Sequence, residues 1–272
     1  MIQRFLLTTF GITVETGLRY FLFAGLAWVL GYLLFRRTWA HRKIIPRAPQ
    51  RADIRRELAY SALTLVIFGA VGAATVLAIK GGHTQMYFRI AKHGWPWFFA
   101  SIAITIFVHD AYFYWTHRLM HHPRLFRLFH RAHHLSTNPT PWASYAFDPL
   151  EAVVQAGIFP IAVTMMPIHP LAFLCFMIWQ ITFNVAGHTG YEFHSRGLMD
   201  SWFGKFINTP TNHVMHHEYF RGNYGLYFNL WDRLMGTNHE RYEARFREVT
   251  SRPKQTSDTV PPPPAAPDLT RA

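Results

Sequence analysis

A single cysteine, Cys175, is all the thiol chemistry open to this chain of 272 residues. Disulfides within the chain and cysteine-built zinc or iron–sulfur sites are thereby excluded, and its place inside an apolar run reads as a small buried side chain. Charge is scarce as well: Asp, Glu, Lys and Arg together make up 15% of the sequence. Acidic residues are the rarer kind, 15 against 27 Lys and Arg, for a formal net charge of +12. Such a balance can signal nucleic acid, but the basic residues fall in loops between apolar runs and no nucleic-acid motif accompanies them. Anionic lipid headgroups are the expected partner. A glycine-rich dinucleotide fingerprint and a haem-binding domain are missing, so any electrons must come from a separate redox protein, and the missing HExxH pattern argues against a zinc hydrolase.

What the chain has in abundance is apolar residues, half of the total, with 17% aromatic. They gather into long runs, which predicts an all-α integral membrane helical bundle. Residues 17–35 carry only Arg19 and stop at Arg36 and Arg37, residues 58–79 carry no charge, and a third run extends from Pro96 to about Trp115, with His109 and Asp110 near its end. Residues 152–187 form two apolar stretches broken at Met166, Pro167, Ile168, His169 and Pro170. The reading is three full spans plus a helical hairpin whose halves cross only in part. No small-residue cleavage site follows the first run, so it is expected to be retained as a membrane segment. Gly69, Gly72, Ala73 and Ala74 on the second run allow close helix contact, although ordinary packing accounts for them equally well.

Loop charges give the orientation. Residues 36–56 hold eight Arg or Lys and residues 81–95 only Arg89 and Lys92, so the first loop is expected on the cytoplasmic side, with the N-terminus outside and the C-terminus inside. Everything from His117 to Glu151, and His188 after the hairpin, then falls on that same face as a histidine-rich helical cap. The expected organisation is an N-terminal transmembrane region (1–95), a catalytic region (96–248) and a disordered tail (249–272) that holds PPPPAAP.

Among the 17 histidines, eight form three clusters: His117 and His121 in HRLMH, His130, His133 and His134 in HRAHH, and His213, His216 and His217 in HVMHH. At this histidine frequency chance would supply HxxHH well under once, and it occurs twice. Spacings of three and four put each cluster on one helical face, and neutral imidazole suits iron, zinc and copper. Eight donors overfill one tetrahedral site, so two metals are expected. His188 is a ninth candidate, equally readable as an interfacial histidine. His41, His83, His93 and His239 read as surface residues, His122 as pointing away, and His169 as a turn residue. His109 and His194 stay open. Asp110, Asp148, Glu151 and Asp232 are candidate acceptors for imidazole N–H groups, or alternatively caps and charge partners.

The segments HDAYFYWTHRLMHH, FHRAHHLSTNPTPW, FDPLEA, GHTGYEF and NTPTNHVMHHEYFRGNYGLYFNLWDRLMGT together resemble the fatty acid hydroxylase superfamily, also called the sterol desaturase family, from about His109 to Thr237. The resemblance implies a non-haem di-iron oxygenase that uses dioxygen to hydroxylate or desaturate a lipid, with zinc able to replace iron in recombinant protein. It implies that His117, His121, His130, His133, His134, His188, His213, His216 and His217 are ligands. Sterol, fatty acyl chain, ether lipid, sphingoid base and carotenoid remain open as substrates. Two departures stand out: Asp148 where many relatives carry His, and Asn212 before His213 where an HH pair is frequent. The competing class is a histidine-rich zinc transport or binding protein, which would place its ligands near the midplane of the spans.

Overall fold

The structure, a computed structural model, describes residues 2–254, which form helices and no strands. Four helices are long and apolar enough to cross a membrane: α1 (Ile2–Leu34), α2 (Arg51–Lys80), α3 (Gly94–Met120) and α8 (Pro170–His188). Shorter helices complete the chain: α4 (Pro123–Phe129), α5 (Arg131–His134), α6 (Pro149–Ala156), α7 (Ile158–Met165), α9 (Pro210–Tyr219), α10 (Leu230–Leu234) and α11 (Tyr242–Ser251).

The first span is longer than its apolar run suggests. α1 begins at Ile2, so Glu15 and Arg19 fall near its middle instead of at its edge. Glycine accounts for its tight pairing with α2. A Cβ at Gly69 would lie 2.1 Å from Thr13 Oγ1 and 2.8 Å from the Thr9 carbonyl, and one at Gly72 would lie 3.1 Å from Ile12. The close-contact reading of these small residues therefore applies at Gly69 and Gly72. Outward-facing Leu18, Leu22 and Leu26 leave an apolar surface suited to lipid.

The hairpin is asymmetric. Its first arm is two short helices that join at Gly157, whereas α8 is one 19-residue helix started by Pro170 and capped by the His169 side chain, which accepts from the Leu171 N–H. Its turn is tied to the loop before α3 and to the first turn of α3: Gln85 N–H donates to the Val163 carbonyl, Tyr87 N–H to Ile168, and Trp97 Nε1–H to Pro167. The turn therefore sits at the end of the bundle opposite the histidines, and His169 packs there on Tyr87 and Phe98. At the histidine end, the basic loop after α1 packs onto the segment after α8 through the Lys43–Tyr191 bridge.

The tail boundary needs correction. α11 runs through Ser251, with Val249 fully buried and Thr250 nearly so, because its inner face packs Phe246 and Val249 against α9 and the basic loop. The remainder of the expected tail, from residue 255, lies outside the described residues.

Candidate metal centre

Nine imidazoles converge at one end of the bundle in two adjacent groups. His117, His121, His130, His134 and His216 form the first, and His133, His188, His213 and His217 the second; within each, one ring nitrogen per residue lies within 4.8 Å of all the others. α3 supplies His117, α8 supplies His188, α5 and its N-cap supply His130, His133 and His134, and α9 supplies His213, His216 and His217. His121 is the C-cap of α3, turned inward as the chain leaves that helix.

The HxxHH clusters do not each point at one place, as one shared helical face would require. Positions four apart stay together, His130 with His134 and His213 with His217, while the residue between them goes to the other group. Two short helices meet at the boundary between the groups, so each cluster contributes to both.

The ring nitrogens are spaced as ligands are. Nε2 atoms of His117 and His130 lie 2.9 Å apart, His134 and His216 2.9 Å, His121 and His216 3.1 Å, His188 and His213 3.0 Å, His213 and His217 3.2 Å, and His133 and His188 3.3 Å. A shell with metal–nitrogen bonds of about 2.1 Å has edges of about 3.0 Å when octahedral and about 3.4 Å when tetrahedral. The donor set therefore fits a transition metal in each group.

The opposite ring edges fix which nitrogen faces inward. Nδ1–H of His117 donates to the Tyr224 carbonyl at 2.8 Å, that of His216 to Gly222 at 2.7 Å, that of His188 to Asn184 at 2.7 Å and that of His133 to Ala146 at 3.3 Å. A carboxylate oxygen of Glu151 lies 2.8 Å from His130 Nδ1. With Nδ1 carrying the proton, the Nε2 lone pair is left for a ligand bond. Burial, reinforced by neighbouring imidazoles, holds His130, His133, His134, His213, His216 and His217 well below the usual imidazole range, which favours the neutral ring that a metal ligand needs.

Of the four candidate carboxylate acceptors, only Glu151 meets an imidazole. Asp148 Oδ2 accepts from the Ala132 N–H at 2.6 Å and so caps α5, and burial raises its pKa. Asp110 accepts from the Tyr227 and Phe228 N–H groups, and Asp232 from Tyr224 N–H, Gly225 N–H and the Thr237 hydroxyl. These two shape the NYG loop, whose Tyr224 carbonyl then meets His117. His109 stays outside both groups, bound to the Tyr227 hydroxyl at 2.8 Å. His194 pairs with Glu192 at 2.8 Å, and His122 caps α4. Asn212 donates to Asn238 across 3.5 Å.

Sequence reasoning missed Glu192. Its Oε2 accepts from the backbone N–H and hydroxyl of Thr211 at the start of α9 and so aims that helix. Burial would raise its pKa, but hydrogen bonds from His194 and Thr211 outweigh burial and hold it below the usual value. No local pattern marks this residue, because its partner lies on a different helix.

A largely apolar cavity of about 320 Å³ lies within the bundle beside this centre. Its upper lining includes Phe113, whose ring is 5.0 Å from His117, Phe147, 5.3 Å from His133, and Asn184, the carbonyl partner of His188.

The fatty acid hydroxylase family model matches residues 102–237. The chain is 31% identical over 215 residues to a Delta(7)-sterol 5(6)-desaturase, ERG3B, of Gibberella zeae, covering 76% of this chain and 61% of that one. It is 30% identical over 236 residues to Delta(7)-sterol 5(6)-desaturase erg3C of Aspergillus fumigatus (80% and 71%) and 30% identical over 187 residues to human lathosterol oxidase (68% and 61%). It thus spans about three fifths of the length of two of these relatives. No solved structure matches. The chain belongs to the fatty acid hydroxylase family, among membrane proteins with four candidate spans.

Proposed function

We propose that this chain is a membrane-bound di-iron oxidoreductase that uses dioxygen to hydroxylate or desaturate a sterol-like lipid. The observation that carries the reading is the meeting of two imidazole groups with an apolar cavity whose lining residues Phe113, Phe147 and Asn184 touch His117, His133 and His188. The family match and relatives named for sterol oxidation support it.

His117, His121, His130, His134 and His216 would hold one iron, and His133, His188, His213 and His217 the other. When bound, the iron pair supplies the redox chemistry that breaks an unactivated C–H bond, which side-chain acids and bases cannot do. The protein's own contribution is positional. The carbonyls of Tyr224, Gly222, Asn184 and Ala146 lock the imidazole tautomers, and Glu151 steadies His130. Phe113 and Phe147 exclude water from the upper cavity and leave room for a flat or chain-like apolar ligand against the imidazoles. Dioxygen is the oxidant, and a separate electron-transfer protein supplies electrons.

A zinc transport or binding role is the alternative class. It is disfavoured because the imidazoles sit at helix ends above an apolar cavity, whereas an ion path needs polar groups through the span. The basic loop beside the histidine end supports a cytoplasmic active site. Reporter fusions at Lys92 and after the last described residue test this side assignment, and matching localisation of the two would overturn it.

The deciding experiment is elemental analysis of protein from its native host, paired with oxygen- and reductant-dependent oxidation of a membrane sterol extract. Two irons per chain with oxidised product are expected, and zinc in place of iron should give no turnover. Full activity with one metal or none would sink the reading.

A further inference from the structure

The cavity beside the histidines is mostly apolar, with a few polar side chains in its lining. Glu15 and Arg19, one turn apart near the middle of α1, form an ion pair there and line the cavity together with Gln155 of α6 and Gln180 of α8. Gly17, between the charged residues, packs on Leu65 of α2, so the pair lies at mid-depth of the α1–α2 pair. A charged pair so deep in a span needs a reason. The cavity's other polar linings are already engaged. His109 binds Tyr227, Asn184 Nδ2 donates to the Ser144 carbonyl, and the Thr16 hydroxyl donates to Glu15.

Two donors of this lining are incompletely used. Arg19 Nε and Gln155 Nε2 are buried without a well-formed hydrogen bond, Gln155 reaching only toward Glu151 and being 8% exposed. Each unmade bond costs about 1–3 kcal/mol in such surroundings, so the place calls for an acceptor. Because Glu15 already neutralises Arg19, an anionic headgroup would add an unpaired charge at low dielectric. A hydroxyl has the right chemistry: its oxygen accepts from Arg19 and Gln155, and its proton goes to the Glu15 carboxylate or the Gln180 carbonyl, which now accepts from Tyr145 at 3.1 Å.

We propose that Glu15, Arg19, Gln155 and Gln180 form a subsite for the neutral hydroxyl of an otherwise apolar lipid. By anchoring that hydroxyl the subsite sets which carbon lies beneath Phe113 and Phe147, a consequence that rests on the oxidase reading above. Glu15 and Arg19 lie outside the family-matched residues 102–237, so the N-terminal span contributes selectivity of its own.

The test uses the full chain purified in detergent, kept under nitrogen without reductant so that binding is read apart from turnover. Tritiated cholesterol and tritiated hexadecanol are the two probes, displaced by each alcohol, by its hydrocarbon counterpart (5-cholestene or hexadecane) and by its sulfate ester. In at least one pair the alcohol should bind about tenfold or more tighter than both hydrocarbon and sulfate. Gln155→Leu and the double change Glu15→Leu/Arg19→Leu should each narrow the alcohol–hydrocarbon gap to about twofold, with hydrocarbon binding unchanged. If the double variant does not give monodisperse protein, Gln155→Leu decides alone. The subsite is overturned if neither alcohol binds, if no pair shows a hydroxyl preference, if the sulfate binds as well as the alcohol, or if the variants keep the native preference. Oxidised product without hydroxyl preference would sink the subsite and spare the enzyme; hydroxyl preference without any oxygen-dependent product would do the reverse.

Discussion

The two imidazole groups are built differently although they share helices. The first has five histidines, and its supports come from a carboxylate, Glu151, and from the NYG-loop carbonyls of Gly222 and Tyr224. The second has four, held by the Asn184 and Ala146 carbonyls, and both of its α9 members, His213 and His217, have buried Nδ1 atoms without partners. The second group has no donor to spare, while the first has one more than a tetrahedral shell uses. Redundancy is thus concentrated in the first half of the centre, although His134 Nδ1 there is also buried without a partner.

The comparison is broken most severely by removing a donor. His217→Ala should leave the second group with three imidazoles and lower metal content from about two per chain toward one, with oxygen-dependent turnover down by about a hundredfold or more. His134→Ala should also remove most turnover but retain more metal, because four imidazoles remain. Elemental analysis of the two purified variants reads the difference, and full metal with full turnover in both would remove these clusters from the active site. His83→Ala and His239→Ala, which belong to neither group, should change neither quantity.

Smaller changes test the supports. Glu151→Gln keeps the shape but replaces the acid that meets His130 Nδ1 with an amide, so affinity at the first group should fall about 10- to 100-fold while the second holds its metal. A chelator titration that releases both metals equally would contradict the separate roles. Asp148→His should act mainly through the fold, because Asp148 caps α5 without touching an imidazole. A lost cap costs about 1 kcal/mol, so a lowered melting temperature with turnover within a few-fold of native is expected. Loss of a metal equivalent would show that the capped helix positions ligands more strictly than this.

The smallest effect concerns Lys43, which packs beside the exit of α8 with Nζ donating to the Tyr32 hydroxyl at 2.7 Å. Burial lowers its pKa from the ordinary 10.5 to about 7. Between those values the unfolded chain holds a proton that the folded chain lacks, so unfolding becomes harder as pH rises through the window. The stabilisation is lost again as pH falls toward 7. Melting in detergent at pH 7 and pH 9, native against Lys43→Met, should show a flatter pH dependence in the variant, and equal slopes would refute the assignment.

The sequence by itself determined the apolar runs, the eight clustered histidines and the family, because these depend on residue type and on spacing along one segment. It also showed that the hairpin is broken, since Met166 to Pro170 cannot continue a helix. It left His109, His194 and His188 open and offered four carboxylates where one meets an imidazole, because an imidazole's partner is chosen by whichever helix packs against it. The division of each HxxHH between two groups was likewise hidden: a period of 3.6 places residues on a face, but only the meeting of α3, α5, α8 and α9 decides which point each part of that face sees. The length of α1 escaped for another reason, since the apolar run on paper begins after Glu15, which pairs with Arg19 inside a helix that continues past both. Contacts between distant segments, Glu192 on Thr211 above all, are settled by packing in three dimensions, and no local pattern records them.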